Sequence, residues 1–212
     1  MAGMVVVDYH KGNLSSVVRS LADCGADARV SDDAAEIAAA SAVVLPGVGS
    51  FEDAMAYMNE SGQTSAVRDA VRRGVPFLGI CLGMQLVCER GNESADGSWV
   101  DGIGLIPGSV TRLESNTLKV PHVGWNQLDV TDAGCASGLF EGVASGANLY
   151  FTHSYALADD VPADAVAATC DYTRVFPAAI ACGNIFGMQF HPEKSSRAGL
   201  ALLANFVRIA KG

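Results

Sequence analysis

The sequence predicts an α/β fold, a three-layer sandwich whose central sheet is mixed but mostly parallel, in a single domain over residues 1–212. Three observations carry that expectation. Short, continuously apolar runs alternate with helix-period segments through the first half, as in a parallel sheet covered on both faces. The second half replaces most helices with short strand-like runs punctuated by Gly and Pro, the pattern of an antiparallel extension. An amphipathic stretch, Arg197–Ala210, then closes the chain with a helix.

In chain order, Met4–Asp8 is a β-branched run and reads as a buried strand. Leu14–Cys24 repeats Leu14, Val17, Val18 and Leu21 on one helix face, and Gly25 stops it. Ala42–Leu45 is a second buried strand that ends at Pro46-Gly47-Val48-Gly49. Phe51–Met58 and Ser65–Arg73 are helical, with Gly74 closing the second. Phe77–Ile80 is a strand, and a helix is expected over Leu82–Glu89. Further strands are expected at Val110–Leu113, Leu128–Val130, Leu149–Thr152, Ala165–Thr169, Ala178–Ala181 and Ile185–Phe190. Asn92–Gly102 is the most polar loop, and no repeat or low-complexity linker divides the chain.

Composition narrows the function. Apolar residues make up 50% of the 212 and charged residues 17%, enough material for a core and too little charge for a disordered chain. With 14 Lys+Arg against 23 Asp+Glu the net charge is −9, and only Arg72-Arg73 form an adjacent basic pair. That argues against nucleic acid or an anionic membrane as partner, and no cradle for a phosphorylated substrate is visible. The segment Met1–Asp8 has no basic n-region, so no signal peptide is expected. The apolar stretch Ile37–Leu45 is broken by Ser41 and stops at Pro46, short of the ~20 residues of a membrane helix. Six cysteines without a C-x-x-C pair read as thiols in a reducing, cytoplasmic setting. No histidine pair has metal-ligand spacing, so neither a metal nor another cofactor is expected.

The chemistry concentrates in three segments. Gly79-Ile80-Cys81-Leu82-Gly83 lies where a strand ends and a helix starts, the cysteine version of a nucleophile elbow. Flanking glycines permit the sharp turn that exposes one side chain, and a helix N-terminus behind the sulfur favours thiolate. Cys24 and Cys88, on expected apolar helix faces, fit plain packing. A thiol nucleophile needs a base, and the base an orienting group. His191-Pro192-Glu193 supplies both after the last strand; in extended chain, residues i and i+2 face one side. The competing reading is a helix entry whose Pro and Glu merely start the final helix. Pro46-Gly47-Val48-Gly49 can aim a peptide N–H into the same site as an oxyanion donor.

These segments together, Gly-Ile-Cys-Leu-Gly-Met-Gln (79–85), Pro-Gly-Val-Gly-Ser-Phe (46–51) and Phe-His-Pro-Glu-Lys-Ser (190–195), resemble the class I glutamine amidotransferases. Residues 8–14, Pro-His-Val-Gly-Trp-Asn (121–126) and Tyr-Phe-Thr-His-Ser-Tyr (150–155) resemble, within that class, the glutaminase subunits of imidazole glycerol phosphate synthases. The resemblance runs from about residue 4 to residue 208. His10 departs from it, standing where many relatives have Gly or Asn; Thr173 departs likewise. It implies L-glutamine as substrate, Cys81 as nucleophile, His191 as general base and acid, and Glu193 as its orienting group. It implies an oxyanion hole from the N–H groups of Val48 and Leu82, and substrate contacts at Gly49, Gln85, Ser154 and Tyr155. The implied partner is a cyclase subunit with a (β/α)8 barrel, forming a heterodimer through Asn13, Pro121, His122, Trp125, Tyr150 and Lys194. Two other readings remain at this stage: a glutaminase subunit serving anthranilate, guanylate or pyridoxal phosphate synthesis, and a non-catalytic α/β binding module.

Overall fold

The structure, a computed structural model, describes residues 3–12 and 14–212. Its first half alternates strand and helix: β1 (Met4–Val7), α1 (Leu14–Asp23), β2 (Ala28–Ser31), α2 (Ala34–Ala38), β3 (Ala42–Gly47), α3 (Phe51–Glu60), α4 (Gln63–Arg72), β4 (Phe77–Cys81) and α5 (Leu82–Gln85). The second half runs β5 (Cys88–Gly91), β6 (Val100–Asp101), β7 (Ile106–Arg112), β8 (His122–Gln127), β9 (Asp129–Val130), α6 (Asp132–Ala136), β10 (Asn148–His153), β11 (Tyr155–Leu157), β12 (Val166–Asp171), β13 (Val175–Cys182), β14 (Ile185–Met188) and α7 (Ser196–Lys211).

The main sheet has the order β2-β1-β3-β4-β14-β13-β12-β9. Its β2 to β14 portion is parallel, and β13, β12 and β9 extend it antiparallel. Strand alternation divides the core between its two faces. Met4, Val6, Ala42, Val44, Leu78 and Ile80 pack with Val17, Leu21, Leu202, Leu203 and Phe206 of α1 and α7. Val5, Val7, Val43, Leu45 and Phe77 pack with Ile37, Met55, Met58, Val67 and Val71 of α2, α3 and α4. Both faces are covered, so the central strands read as unbroken apolar runs in the sequence.

Two expectations are corrected. The helix expected over Leu82–Glu89 is a single turn, and Cys88–Gly91 is a strand. Its backbone bonds leave the helix: Ile103 N donates to Leu86 O at 2.7 Å, Leu105 N to Val87 O at 2.8 Å and Gly104 N to Cys88 O at 3.0 Å. A short apolar run fits a buried strand as well as a helix, and here tertiary pairing decided between them. Cys88 remains a packing residue, fully buried, with its thiol pushed up to about 12 by burial. The second-half strands also do not all join one sheet. β8 and β10 form a separate antiparallel pair, and β11, β7, β5 and β6 form a third sheet. Strand signals alone carry no information on which neighbour a strand takes.

Close backbone packing seats the β4–α5 turn. A Cβ on Gly83 would fall inside the contact radius of the Leu45 carbonyl, and one on Gly79 would come within 2.7 Å of Met84 Cα. Backbone cannot swing aside as a side chain can. Gly83→Ala is therefore expected to lower stability by about 3 kcal/mol or more, read from urea unfolding. A loss below about 1 kcal/mol would show that β3 and α5 do not meet this closely.

Candidate active site

β4 delivers Cys81 at the C-terminal edge of the sheet, in register with Gly47 of β3. Its backbone sits at φ 55°, ψ −111°, a conformation unfavourable to any residue with a side chain and one that persists only where surroundings enforce it. The tight seats of Gly79 and Gly83 supply that enforcement. The sulfur lies 3.9 Å from Thr152 O on β10 and 3.7 Å from Gln189 Nε2. Because α5 is one turn long, the sulfur's surroundings depend chiefly on these tertiary neighbours.

The neighbouring strand β14 leads through Gln189 and Phe190 to His191. Two bonds to β10 hold the segment: His191 N donates to Tyr150 O at 2.9 Å, and Tyr150 N donates to Ser195 Oγ at 2.9 Å. His191 Nδ1 meets Glu193 Oε1 at 2.8 Å, with both side chains about 95% buried. The expected pairing is present, but a 3₁₀ turn over Pro192–Lys194 makes it rather than strand alternation. The competing helix-entry reading describes the same turn, which runs directly into α7. Burial alone would depress the His191 pKa; the adjacent Cys81 sulfur and Glu193 carboxylate outweigh it and raise it to about 9. Nε2 is buried and makes no well-formed hydrogen bond, leaving it available to exchange a proton with the sulfur.

The loop after β3 is tied to β1. Tyr9, buried, donates its hydroxyl to Val48 O at 3.4 Å, and its ring end occupies the space a side chain at position 47 would need. Burial, then the nearby Cys81, raises the Tyr9 phenol well above its ordinary value, so it remains a neutral donor. Val48 is half-exposed, Gly49 has φ 104°, and Leu82 is buried beside Cys81. His10 has φ 61°, a region that Gly and Asn enter more readily, which accounts for the residue types expected there.

Gln85, Ser154 and Tyr155 come together behind the sulfur. Gln85 Nε2 donates to Tyr155 O at 2.8 Å and to Gln189 Oε1 at 3.0 Å; Ser154 O accepts from Leu113 N at 2.8 Å. Gln189, fully buried, is the residue that sequence reasoning missed. The signal was there: a polar side chain in the apolar run Ile185–Phe190 is buried only with partners.

The residues expected at a docking face divide. Trp125 is 53% exposed, and its ring meets that of Tyr150 edge-on at 6.0 Å across the β8–β10 pair. Pro121 and Lys194 are also exposed. Lys194 borders a void of about 20 Å³ with Gly12, Val48, His191 and Glu193. Asn13 lies outside the described residues. His122 is corrected: at 3% exposure it supports the face from beneath, stacked between Tyr172 and Phe151. Its Nδ1 is 3.1 Å from His153 Nε2, whose own Nδ1 donates to Tyr155 O at 2.8 Å. That carbonyl only accepts, so His153 Nδ1 carries a proton; with burial keeping both rings neutral, His153 Nε2 accepts from His122 Nδ1, and Asn126 Nδ2 can donate to His122 Nε2 at 3.3 Å. Burial pushes His122 down to about 4 and His153 to about 3. Among the described residues, no group of three His, Cys, Asp or Glu side chains is placed to hold a metal ion, and no helix is long and apolar enough to cross a membrane.

Comparison with known proteins gives concordant results. The family described as glutamine amidotransferase class-I matches residues 5–210. The chain is 45% identical over 213 aligned positions to the imidazole glycerol phosphate synthase subunit HisH of Moorella thermoacetica, covering 100% of this chain and 97% of that one. It is 46% identical to the HisH subunit of Symbiobacterium thermophilum, covering 99% and 95%. Among solved structures, a glutamine amidotransferase superposes with a TM-score of 0.73 at 19% identity, covering 99% of this chain and 100% of that one. A gmp synthase protein from Thermoplasma acidophilum gives 0.72 at 21%, covering 100% and 94%. These structural likenesses concern the fold alone.

The histidines predict how stability varies with pH. His122 and His153 have folded-state pKa values below the ordinary 6.5, so the unfolded chain binds more protons between about pH 6.5 and 3. Their stabilising contribution is present above pH 6.5 and is lost as pH falls through that window, at up to ~1.4 kcal/mol per pH unit for each group. His191 has the opposite sign: its contribution is present below pH 6.5 and is lost as pH rises through about 9. His122→Phe keeps the ring stack and removes one acid-sensitive site, so the pair's share of the acid slope should fall by roughly half. Unfolding titrations from pH 7 to 4 measure this, and an unaltered slope would contradict the neutral pair.

Proposed function

Since the chain belongs to the class I glutamine amidotransferases and, among them, to the HisH subunits of imidazole glycerol phosphate synthase, we propose that Cys81, His191 and Glu193 perform its glutamine hydrolysis and that the ammonia passes to a partner cyclase. The enzyme serves histidine biosynthesis, where the complex makes imidazole glycerol phosphate and an aminoimidazole carboxamide ribonucleotide. The observation that carries the site assignment is the buried 2.8 Å His191–Glu193 pair beside a cysteine on a strained strand–helix turn.

His191 takes the Cys81 proton, and the thiolate attacks the side-chain carboxamide carbon of L-glutamine. Glu193 holds Nδ1–H and so leaves Nε2 to carry the proton. The tetrahedral oxyanion is held by the N–H groups of Leu82 and Val48. His191 returns the proton to the departing nitrogen, the C–N bond breaks, and ammonia leaves a thioester on Cys81. Water activated by His191 then attacks the thioester and releases glutamate. Gly49, Gln85, Ser154 and Tyr155 surround the amino-acid end of the substrate. A carboxylate only accepts, so N–H groups of the Ser154–Tyr155 segment would meet the substrate carboxylate.

The partner reading is a heterodimer with a (β/α)8-barrel cyclase docked on Trp125, Tyr150, Pro121 and Lys194. An exposed Trp125 meeting the half-buried Tyr150 across one strand pair supports it. Transfer to the cyclase requires that the ammonia leave away from water. Bulk water would protonate it to ammonium, which has no lone pair for attack.

Cys81→Ala should abolish glutamine hydrolysis while ammonium salts still support the cyclase reaction in the complex; substantial glutaminase activity in this variant would refute the nucleophile. Trp125→Ala should weaken cyclase binding by ~2 kcal/mol, about thirtyfold in Kd, with the isolated fold intact. Unchanged affinity by calorimetry would place the docking face elsewhere. The isolated chain should be a poor glutaminase, because the Gly47–Val48 unit can rest with its carbonyl rather than its N–H toward the site. Cyclase carrying its nucleotide ligand should restore that donor and raise kcat by ~10²–10³. Equal glutamate release by the chain alone, with cyclase, and with liganded cyclase would eliminate such gating.

A further inference from the structure

We propose that Gln189 is a further catalytic residue, the neutral donor that holds the Cys81 sulfur and supports its thiolate, and that Gln85 positions it. This rests on the reading of Cys81 as the nucleophile. A backbone carbonyl fixes the orientation of both amides. Tyr155 O can only accept, so the Gln85 atom 2.8 Å from it is the amide nitrogen. The same nitrogen lies 3.0 Å from the Gln189 side chain, and since it donates there too, Gln189 must present its oxygen. The Gln189 nitrogen therefore points the other way, 3.7 Å from Cys81 Sγ, with an N–H aimed at the sulfur. Gln189 is fully buried and Gln85 3% exposed, so water does not compete for these bonds. The Gln189 backbone is itself fixed, its N–H donating to Ala178 O at 2.9 Å.

The chemistry calls for such a donor. In the resting thiol, Cys81 S–H can donate to Thr152 O at 3.9 Å. Once the proton moves to His191 Nε2, that carbonyl faces an anion and becomes unfavourable. A donor on the far side favours the charged form, as hydrogen bonds to a charged group do. A glutamate at position 189 would supply a second acceptor or a negative charge instead. The amide also restrains the sulfur's direction, which one helical turn and a strained backbone do not do alone.

The test is the pH dependence of Cys81 alkylation by iodoacetamide in the full chain, followed on the Cys81 peptide by mass spectrometry. The exposed thiols Cys135 and Cys182 serve as reference. Wild type is compared with Gln189→Glu, Gln189→Met and Gln85→Met, each first checked for cooperative unfolding. Both Gln189 variants should move the Cys81 midpoint upward, the glutamate by ~1 pH unit or more, while the reference thiols do not move. Gln85→Met should give a smaller upward shift, and kcat for glutamine should fall in the same order. If either Gln189 variant folds and leaves the Cys81 midpoint unchanged, the proposal is overturned. Failure of the nucleophile reading would be seen separately, as glutamine turnover persisting in Cys81→Ala whatever the alkylation profile.

Discussion

Cys81 holds its backbone at φ 55°, ψ −111° because β3 and α5 leave it no alternative, and the site is arranged around that constraint. Such a conformation costs on the order of 1–3 kcal/mol, which the surrounding sheet must offset. Gly83 lies against the Leu45 backbone and Gly79 against the first turn of α5, so the turn cannot relax without separating β3 from β4. A less sharp turn would leave the side chain of residue 81 in the sheet, as the alternation of β4 directs. The same register places Gly47 opposite Cys81 and hence the Val48 peptide at its edge.

β10 links the Trp125–Tyr150 aromatic pair to the buried site. The backbone of Tyr150 bonds both ends of the His191–Ser195 turn, while its ring meets Trp125 at the surface. Two residues later Thr152 O approaches the sulfur, and His153 bonds His122 beneath the same surface. The Tyr150 bonds that seat the His191–Ser195 turn therefore also fix it to the β8–β10 pair. The neutral histidine pair adds one more bond between β8 and β10, one that protonation would disrupt.

Burial acts on three histidines and yields opposite outcomes. For His122 burial acts alone, and for His153 it outweighs the raising bond to Tyr155 O, with His122, His191 and Arg174 adding to the depression, so both remain uncharged. His191 is buried against the Cys81 sulfur and the Glu193 carboxylate, and its hydrogen bonding and electrostatic attraction to them overcome the same desolvation. The difference lies in partners rather than in depth. That is why one histidine can hold a proton where the others cannot, within a single continuous interior.

The parallel half of the sheet was legible in the sequence, because strands buried on both faces must be apolar throughout and their helices must repeat at 3.6 residues. Cys81, His191 and Glu193 were legible as candidates for a related reason: the glycines at the elbow and the Pro between His191 and Glu193 are local backbone requirements. What tertiary structure alone decided was partnership. The run Leu86-Val87-Cys88 left the helix and led into a strand because residues 103–105 supplied its hydrogen bonds. His122 left the surface because Phe151 and Tyr172 closed on its ring. Gln189 gained its place beside the sulfur only when β14 aligned with β4 and brought Gln85 and Tyr155 O within reach. Local conformational demands are written in neighbouring residues, whereas a hydrogen bond across 108 residues depends on where the sheet places its two ends.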